Sequence, residues 1–141
     1  MPHPATVLVV EDDLSTQGLL VAIIKHLGLN CRTAGDGHAA MSMIAEERPS
    51  VIVLDLIMPE MDGFAVLREL KRSAPDLLAK TIVVTAAAIR NMGEVPELAY
   101  AWKFLRKPLD IDQLGAAITG CISQGDQKAG HGGAYETPPR P

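Results

Sequence analysis

The sequence predicts an α/β domain, a doubly wound parallel sheet of five strands flanked by five helices. Three observations carry that prediction. The runs at residues 5–10, 51–54 and 81–84 are β-branched and continuous rather than alternating, as strands covered on both faces are. Stretches with apolar residues at helical spacing separate them. The chain has 141 residues, 48% of them hydrophobic and 21% charged, which suits one globular domain with a sizeable core.

After the first strand, Leu14, Leu20, Ile23, Ile24 and Leu27 share one helical face, and Gly28 supplies a stop. Asn30–Ala34 is short and more polar, as suits an edge strand. Ala40, Met43 and Ile44 mark a second helix closed by Pro49, ahead of the strand at 51–54. Phe64, Leu67 and Leu70 mark a third helix closed by Pro75, ahead of the strand at 81–84.

Where a fourth helix should stand, the chain carries Asn91, Gly93 and Pro96. Proline in a helix interior costs about 3 kcal/mol but is tolerated at the first helical position. A long loop after Thr85 and a short helix from Pro96 are therefore expected, with little order over residues 88–99. Residues 104–105 form a weak fifth strand, and Leu114, Ile118, Cys121 and Ile122 mark the last helix. Strand alternating with helix implies right-handed crossovers and the flavodoxin-like strand order 2-1-3-4-5. The domain is placed at residues 5–123. Residues 124–141 are rich in Gly and Pro with almost no large apolar side chains, and they read as a disordered tail.

Composition excludes several classes. A net charge of -4 argues against direct nucleic-acid binding. No apolar run approaches the roughly 20 residues needed to span a bilayer, so no membrane insertion is expected. The first residues lack the basic region and apolar stretch of a signal peptide, and a cytoplasmic location is expected. Aromatics make up 4%, so the core must be aliphatic. Cys31 and Cys121 form no metal-ligand pattern and are expected to be buried thiols.

In such sheets ligands bind beyond the carboxyl ends of the strands. Glu11, Asp12 and Asp13 follow the first strand and Asp55 follows the third. Carboxylates brought together raise one another's pKa, and a hard divalent cation such as Mg²⁺ relieves the repulsion. Asp13 by itself reads as an ordinary acid at a helix start, but that does not account for Asp55 at the end of an apolar run. Thr85 ends the fourth strand and Lys107 follows the fifth. A hydroxyl and an ammonium at the same rim suit a site that holds a phosphoryl group.

Four pieces of the chain carry a family resemblance: Val7-Leu8-Val9-Val10-Glu11-Asp12-Asp13; Val53-Leu54-Asp55-Leu56-Ile57-Met58-Pro59-Glu60-Met61-Asp62-Gly63; Thr81-Ile82-Val83-Val84-Thr85-Ala86; and Phe104-Leu105-Arg106-Lys107-Pro108. With them the chain resembles the receiver domain of two-component response regulators, of the CheY-like kind. The resemblance implies that Asp55 is the phosphoacceptor. It implies that Glu11, Asp12, Asp55 and the backbone carbonyl of Ile57 hold Mg²⁺. Thr85 becomes the switch hydroxyl, Lys107 the phosphate-binding lysine and Phe104 the switch aromatic, and the Lys107–Pro108 bond is expected to be cis.

The implied activity is that of a phosphoacceptor switch rather than an enzyme. A sensor histidine kinase or histidine phosphotransfer protein supplies the phosphoryl group. The surface of the fourth helix, fifth strand and fifth helix changes, and a separate output protein reads it. The resemblance also allows a phosphorylation-dependent dimer.

Two rival functions are weaker. Phosphohydrolases of the haloacid dehalogenase type carry a second Asp two residues after the nucleophile, where this chain has Ile57. A docking module that is never phosphorylated has no need of the full set Asp12, Asp55, Thr85 and Lys107. The chain departs from the family pattern at Tyr100-Ala101-Trp102-Lys103, where a small pair is usual, and this bears on the output surface rather than the site. Ile57 and Ala87 stand where receivers border the approach of hydrolytic water, and two apolar side chains there imply a long-lived aspartyl phosphate.

Overall fold

The computed structural model describes residues 5–58, 61–86 and 92–127. The elements run β1 (Thr6–Val10), α1 (Leu14–His26), β2 (Asn30–Ala34), α2 (Gly37–Glu46), β3 (Val51–Leu54), α3 (Gly63–Ser73), α4 (Pro75–Leu78) and β4 (Thr81–Thr85). Two 3₁₀ turns follow, Met92–Glu94 and Pro96–Tyr100, then β5 (Lys103–Arg106) and α5 (Ile111–Gln127). The five strands are parallel in the expected order, β2-β1-β3-β4-β5. No helix among the described residues is long and apolar enough to cross a membrane.

Successive side chains along a strand point to opposite faces, so a strand covered on both sides must be apolar throughout. Leu8, Val10, Ile52, Leu54 and Val83 pack on one face with Val66, Leu67 and Leu70 of α3 and Leu77 and Leu78 of α4. Val7, Val9, Val51, Val53, Ile82 and Val84 pack on the other with Leu20, Ile23 and Ile24 of α1 and Leu114, Ile118 and Cys121 of α5.

Local chemistry sets the helix ends. Asp13, Asp36 and Asp62 each cap a helix by accepting a backbone N–H three residues on, at 2.8, 2.8 and 3.0 Å. Such a cap contributes about 1 kcal/mol. Gly28, with φ of 81°, closes α1: its N–H donates to the Lys25 carbonyl, and Leu29 N–H donates to Ile24.

Several elements differ from expectation. Pro75 opens the single turn of α4 instead of only closing α3, because a missing N–H costs nothing at a first helical position. The crossover from β4 to β5 holds 3₁₀ turns, with Pro96 heading the second, as the short helix was expected to start. Val95 and Leu98 are nevertheless buried there, so this part of residues 88–99 is packed. Residues 87–91 lie outside the described residues, and with them Ala87. The last helix continues to Gln127, four residues past the expected boundary, while 128–141 lie outside the described residues.

Cys121 is buried in the core, and burial pushes its thiol up to about 12. Cys31 is only half-buried, because β2 is an edge strand with one side unpaired. Trp102 bridges the start of β5 to α5, its indole N–H donating to the Ala117 carbonyl at 3.1 Å.

Candidate functional site

The register of the sheet builds the site. Val10 pairs with Leu54, so the residues that follow, Glu11 and Asp55, stand side by side where the strand order reverses. Hydrogen bonds carry the ladder past the strand ends: Asp55 N–H donates to the Val10 carbonyl at 3.0 Å, and Glu11 N–H to Ala34 at 3.0 Å. On the far side, Lys107 N–H donates to the carbonyl of Thr85 at 3.0 Å. Glu11 is 2% exposed, Asp55 6% and Thr85 fully buried, whereas Asp12 faces solvent.

The Lys107 ammonium bridges the two buried acids, 3.1 Å from Glu11 Oε1 and 3.2 Å from Asp55 Oδ2. The second oxygen of each acid is also held. Glu11 Oε2 accepts Asp13 N–H and Asp55 Oδ1 accepts Ile57 N–H, both at 3.1 Å. Burial pushes the Glu11 carboxyl above the usual carboxylate range, and the Asp55 charge pushes the same way. The Asp13 N–H and Lys107 oppose that rise without cancelling it. For Lys107, burial works against the charge, but the hydrogen bond to Glu11 and the charges of Asp55 and Glu11 outweigh it and hold the ammonium's pKa up.

One carboxylate oxygen from each of Glu11, Asp12 and Asp55 lies within 4.8 Å of the others. Three carboxylates with two of them buried and one open to solvent form an all-oxygen donor set that fits a hard cation such as Mg²⁺. Ile57 is 55% exposed beside this cluster. Phe104 is half-buried against the core on the α3 side, and the Lys107–Pro108 bond is cis, as expected.

Two glycines hold the loop after Asp55, and the sequence reading assigns neither a role. A side chain at Gly63 would overlap the carbonyl oxygen of Asp55 and Cα of Leu56. A Cβ at Gly37 would sit 2.5 Å from the carbonyl oxygen of Met61, which accepts Gly37 N–H at 2.9 Å. No periodicity or spacing points to Gly37, because its contact exists only once α2 is docked against that loop.

The same fold recurs in known proteins. A family model described as the response regulator receiver domain matches residues 7–119. The DNA-binding transcriptional regulator NtrC of Salmonella typhimurium is 33% identical over 117 residues, covering 83% of this chain and 24% of that protein. The transcriptional regulatory protein TcrX of Mycobacterium tuberculosis is 39% identical over 112 residues, covering 79% of this chain and 47% of that protein. The chain thus spans between about a quarter and a half of the length of these relatives.

Among solved structures, the signal receiver domain of a signal transduction histidine kinase from Syntrophus aciditrophicus superposes with a TM-score of 0.74 at 26% identity, over 93% of this chain and 99% of that one. A CheY-like receiver domain protein from Methanospirillum hungatei shares the fold with a TM-score of 0.80 at 21% identity, over 89% of this chain and 99% of that one. The family match, the sheet order and the acids on adjoining strand ends agree, and the chain belongs to the response regulator receiver domain family.

Proposed function

We propose that this domain accepts a phosphoryl group on Asp55 from the phosphohistidine of a histidine kinase or phosphotransfer protein, and signals by the change this produces. The observation that supports the reading best is the single ammonium of Lys107 shared by Asp55 and Glu11, beside the open carboxylate of Asp12. An Asp55 oxygen attacks phosphorus in line. The new O–P bond forms as the P–N bond to the imidazole breaks, and the bond pair leaves with the imidazole. Glu11, Asp12, Asp55 and the Ile57 carbonyl would hold Mg²⁺, which when bound would supply charge neutralisation at the transferring group.

The protein's own groups do the rest. Ile57 N–H orients the Asp55 carboxylate through Oδ1, and Lys107 offers a cation to the oxygens that gain charge. Thr85, at the buried end of β4, donates to the phosphoryl group once it is in place, and Phe104 follows toward the space this frees. The surface around β5 and α5 then changes, and a partner protein reads it. The role is that of a switch: one covalent modification, slowly reversed, with no substrate turned over.

The test is incubation with Mg²⁺ and a small acyl phosphate, read by intact mass. Wild type is expected to gain one phosphoryl group and Asp55→Asn none. A full gain by Asp55→Asn, or no gain by wild type, refutes the reading.

A further inference from the structure

The acidic corner after β1 is held by a side chain that none of the roles above uses. Gln17, in the first full turn of α1 and half-buried, points its amide back toward the strand end, and Nε2 donates to the carbonyl oxygen of Glu11 at 2.9 Å. A carbonyl oxygen only accepts, so the amide's orientation follows from its partner. The carbonyl belongs to the peptide joining Glu11 to Asp12, and the tilt of that peptide sets the direction in which the Asp12 side chain leaves the backbone. Glu11 itself is tied down on its other polar atoms, by Ala34 through its N–H, by Asp13 N–H at Oε2 and by Lys107 at Oε1. Asp13 is fixed by Thr16, whose N–H and hydroxyl both donate to Oδ2 at 2.8 Å. Gln17 and the two ends of this lacing therefore leave Asp12 as the one exposed acid of the cluster, presented from a fixed peptide.

We propose that Gln17 is a positioning residue for Mg²⁺ binding, resting on the function proposed above: it orients the Glu11–Asp12 peptide so that the Asp12 carboxylate faces Glu11 and Asp55. Three carboxylates repel, and without a restraint the exposed one swings away into water, where its charge is best solvated. A neutral amide supplies the restraint without adding a positive charge that would compete with the metal. Partners that hold metal ligands in this indirect way commonly matter to affinity as much as a weak ligand does.

The sign of the charge effect makes the proposal testable with two variants. Gln17→Met keeps the length and helix preference of the side chain and removes the donor. Gln17→Arg keeps a donor that reaches the carbonyl but brings a cation toward the acids. Mg²⁺ affinity of the full chain is measured by calorimetric titration with magnesium chloride, and Tm is recorded for each protein with a chelator present.

Gln17→Met is expected to weaken Mg²⁺ binding about three- to tenfold, with Tm nearly unchanged. Gln17→Arg is expected to bind Mg²⁺ more tightly than Gln17→Met, although electrostatics alone ranks it lower. Affinity of Gln17→Met within twofold of wild type overturns the proposal, whatever its Tm, and so does weaker binding by Gln17→Arg than by Gln17→Met. A wild-type protein that takes up no Mg²⁺ overturns the proposed function itself, and this role with it.

Discussion

Lys107 Nζ and Glu11 Oε1 stand 3.1 Å apart although 96 residues separate them in the chain. The lysine is the cation that makes two adjacent buried acids tolerable in the absence of a metal. Removing one partner of such an arrangement leaves charge buried without compensation. Lys107→Met is therefore expected to lose about 1–3 kcal/mol of stability near neutral pH, less than for a fully buried pair because the lysine is partly solvated. Denaturant unfolding with a chelator measures the loss, and adding Mg²⁺ is expected to return part of it. Unchanged stability without metal contradicts the counter-ion role.

The pH dependence follows from the same pair. The folded state raises Glu11 above its ordinary value of 4.5, so it holds this proton more tightly than the unfolded chain does. The corresponding stability is fully present below 4.5 and is lost as pH rises through the raised value. Lys107 is raised from 10.5, so its contribution is present below 10.5 and lost only above its raised value, outside the acidic window. Without metal, wild type is expected to lose stability relative to Glu11→Gln as pH rises from about 4 to 7. Unfolding curves of the two proteins across that range measure the difference, and the opposite slope refutes it.

The glycines should separate by what surrounds them. Gly63→Ala forces a methyl against the backbone of Asp55 and Leu56, neither of which is a flexible side chain that can yield. It is expected to cost about 2 kcal/mol or more and to slow the proposed phosphorylation, since it displaces the peptide of Asp55. Gly18 and Gly115 lie inside α1 and α5 with nothing within 4 Å of a built Cβ. Alanine at either is expected to stabilise the domain by about 0.5–1 kcal/mol. Tm and denaturant midpoints of the three variants give the comparison.

Under the proposed function, Ile57 bears on how long a phosphoryl group stays on Asp55. Its backbone N–H holds Asp55, and the residue is more than half exposed beside it. An apolar group there neither orients water nor takes a proton from it. Ile57→Asn is expected to speed loss of the phosphoryl group about tenfold, below the 10²–10⁴-fold that a well-placed acid or base contributes, because the water is only positioned. Decay of purified phosphoprotein decides it, and unchanged or slower decay with Mg²⁺ affinity intact refutes it.

Much of the molecule was legible along the chain. β3 and β4 are buried at every position, and that leaves short unbroken runs rich in β-branched residues, as strands covered on both faces show. Of the polar residues that interrupt the apolar pattern at the strand ends, Glu11, Asp55 and Lys107 are joined by ion pairs, and Thr85 lies buried at the end of β4. β5 was weakly marked because it is an edge strand: Lys103 and Arg106 are exposed, and only Leu105 is fully buried. The turn at Pro75 was hidden because proline ends one helix and begins another with the same chemistry.

The sequence by itself determined the strands, the order in which the chain winds them and the residue types at the carboxyl rim of the sheet, because periodicity and burial are written locally in neighbouring side chains. Only the tertiary structure decided that Lys107 bridges Glu11 and Asp55, that Gly37 lies against Met61, and that Gln17 reaches the Glu11 carbonyl. Those contacts depend on register, crossover and the docking angle of each helix. They join groups whose spacing in the chain carries no period, so no local pattern can announce them.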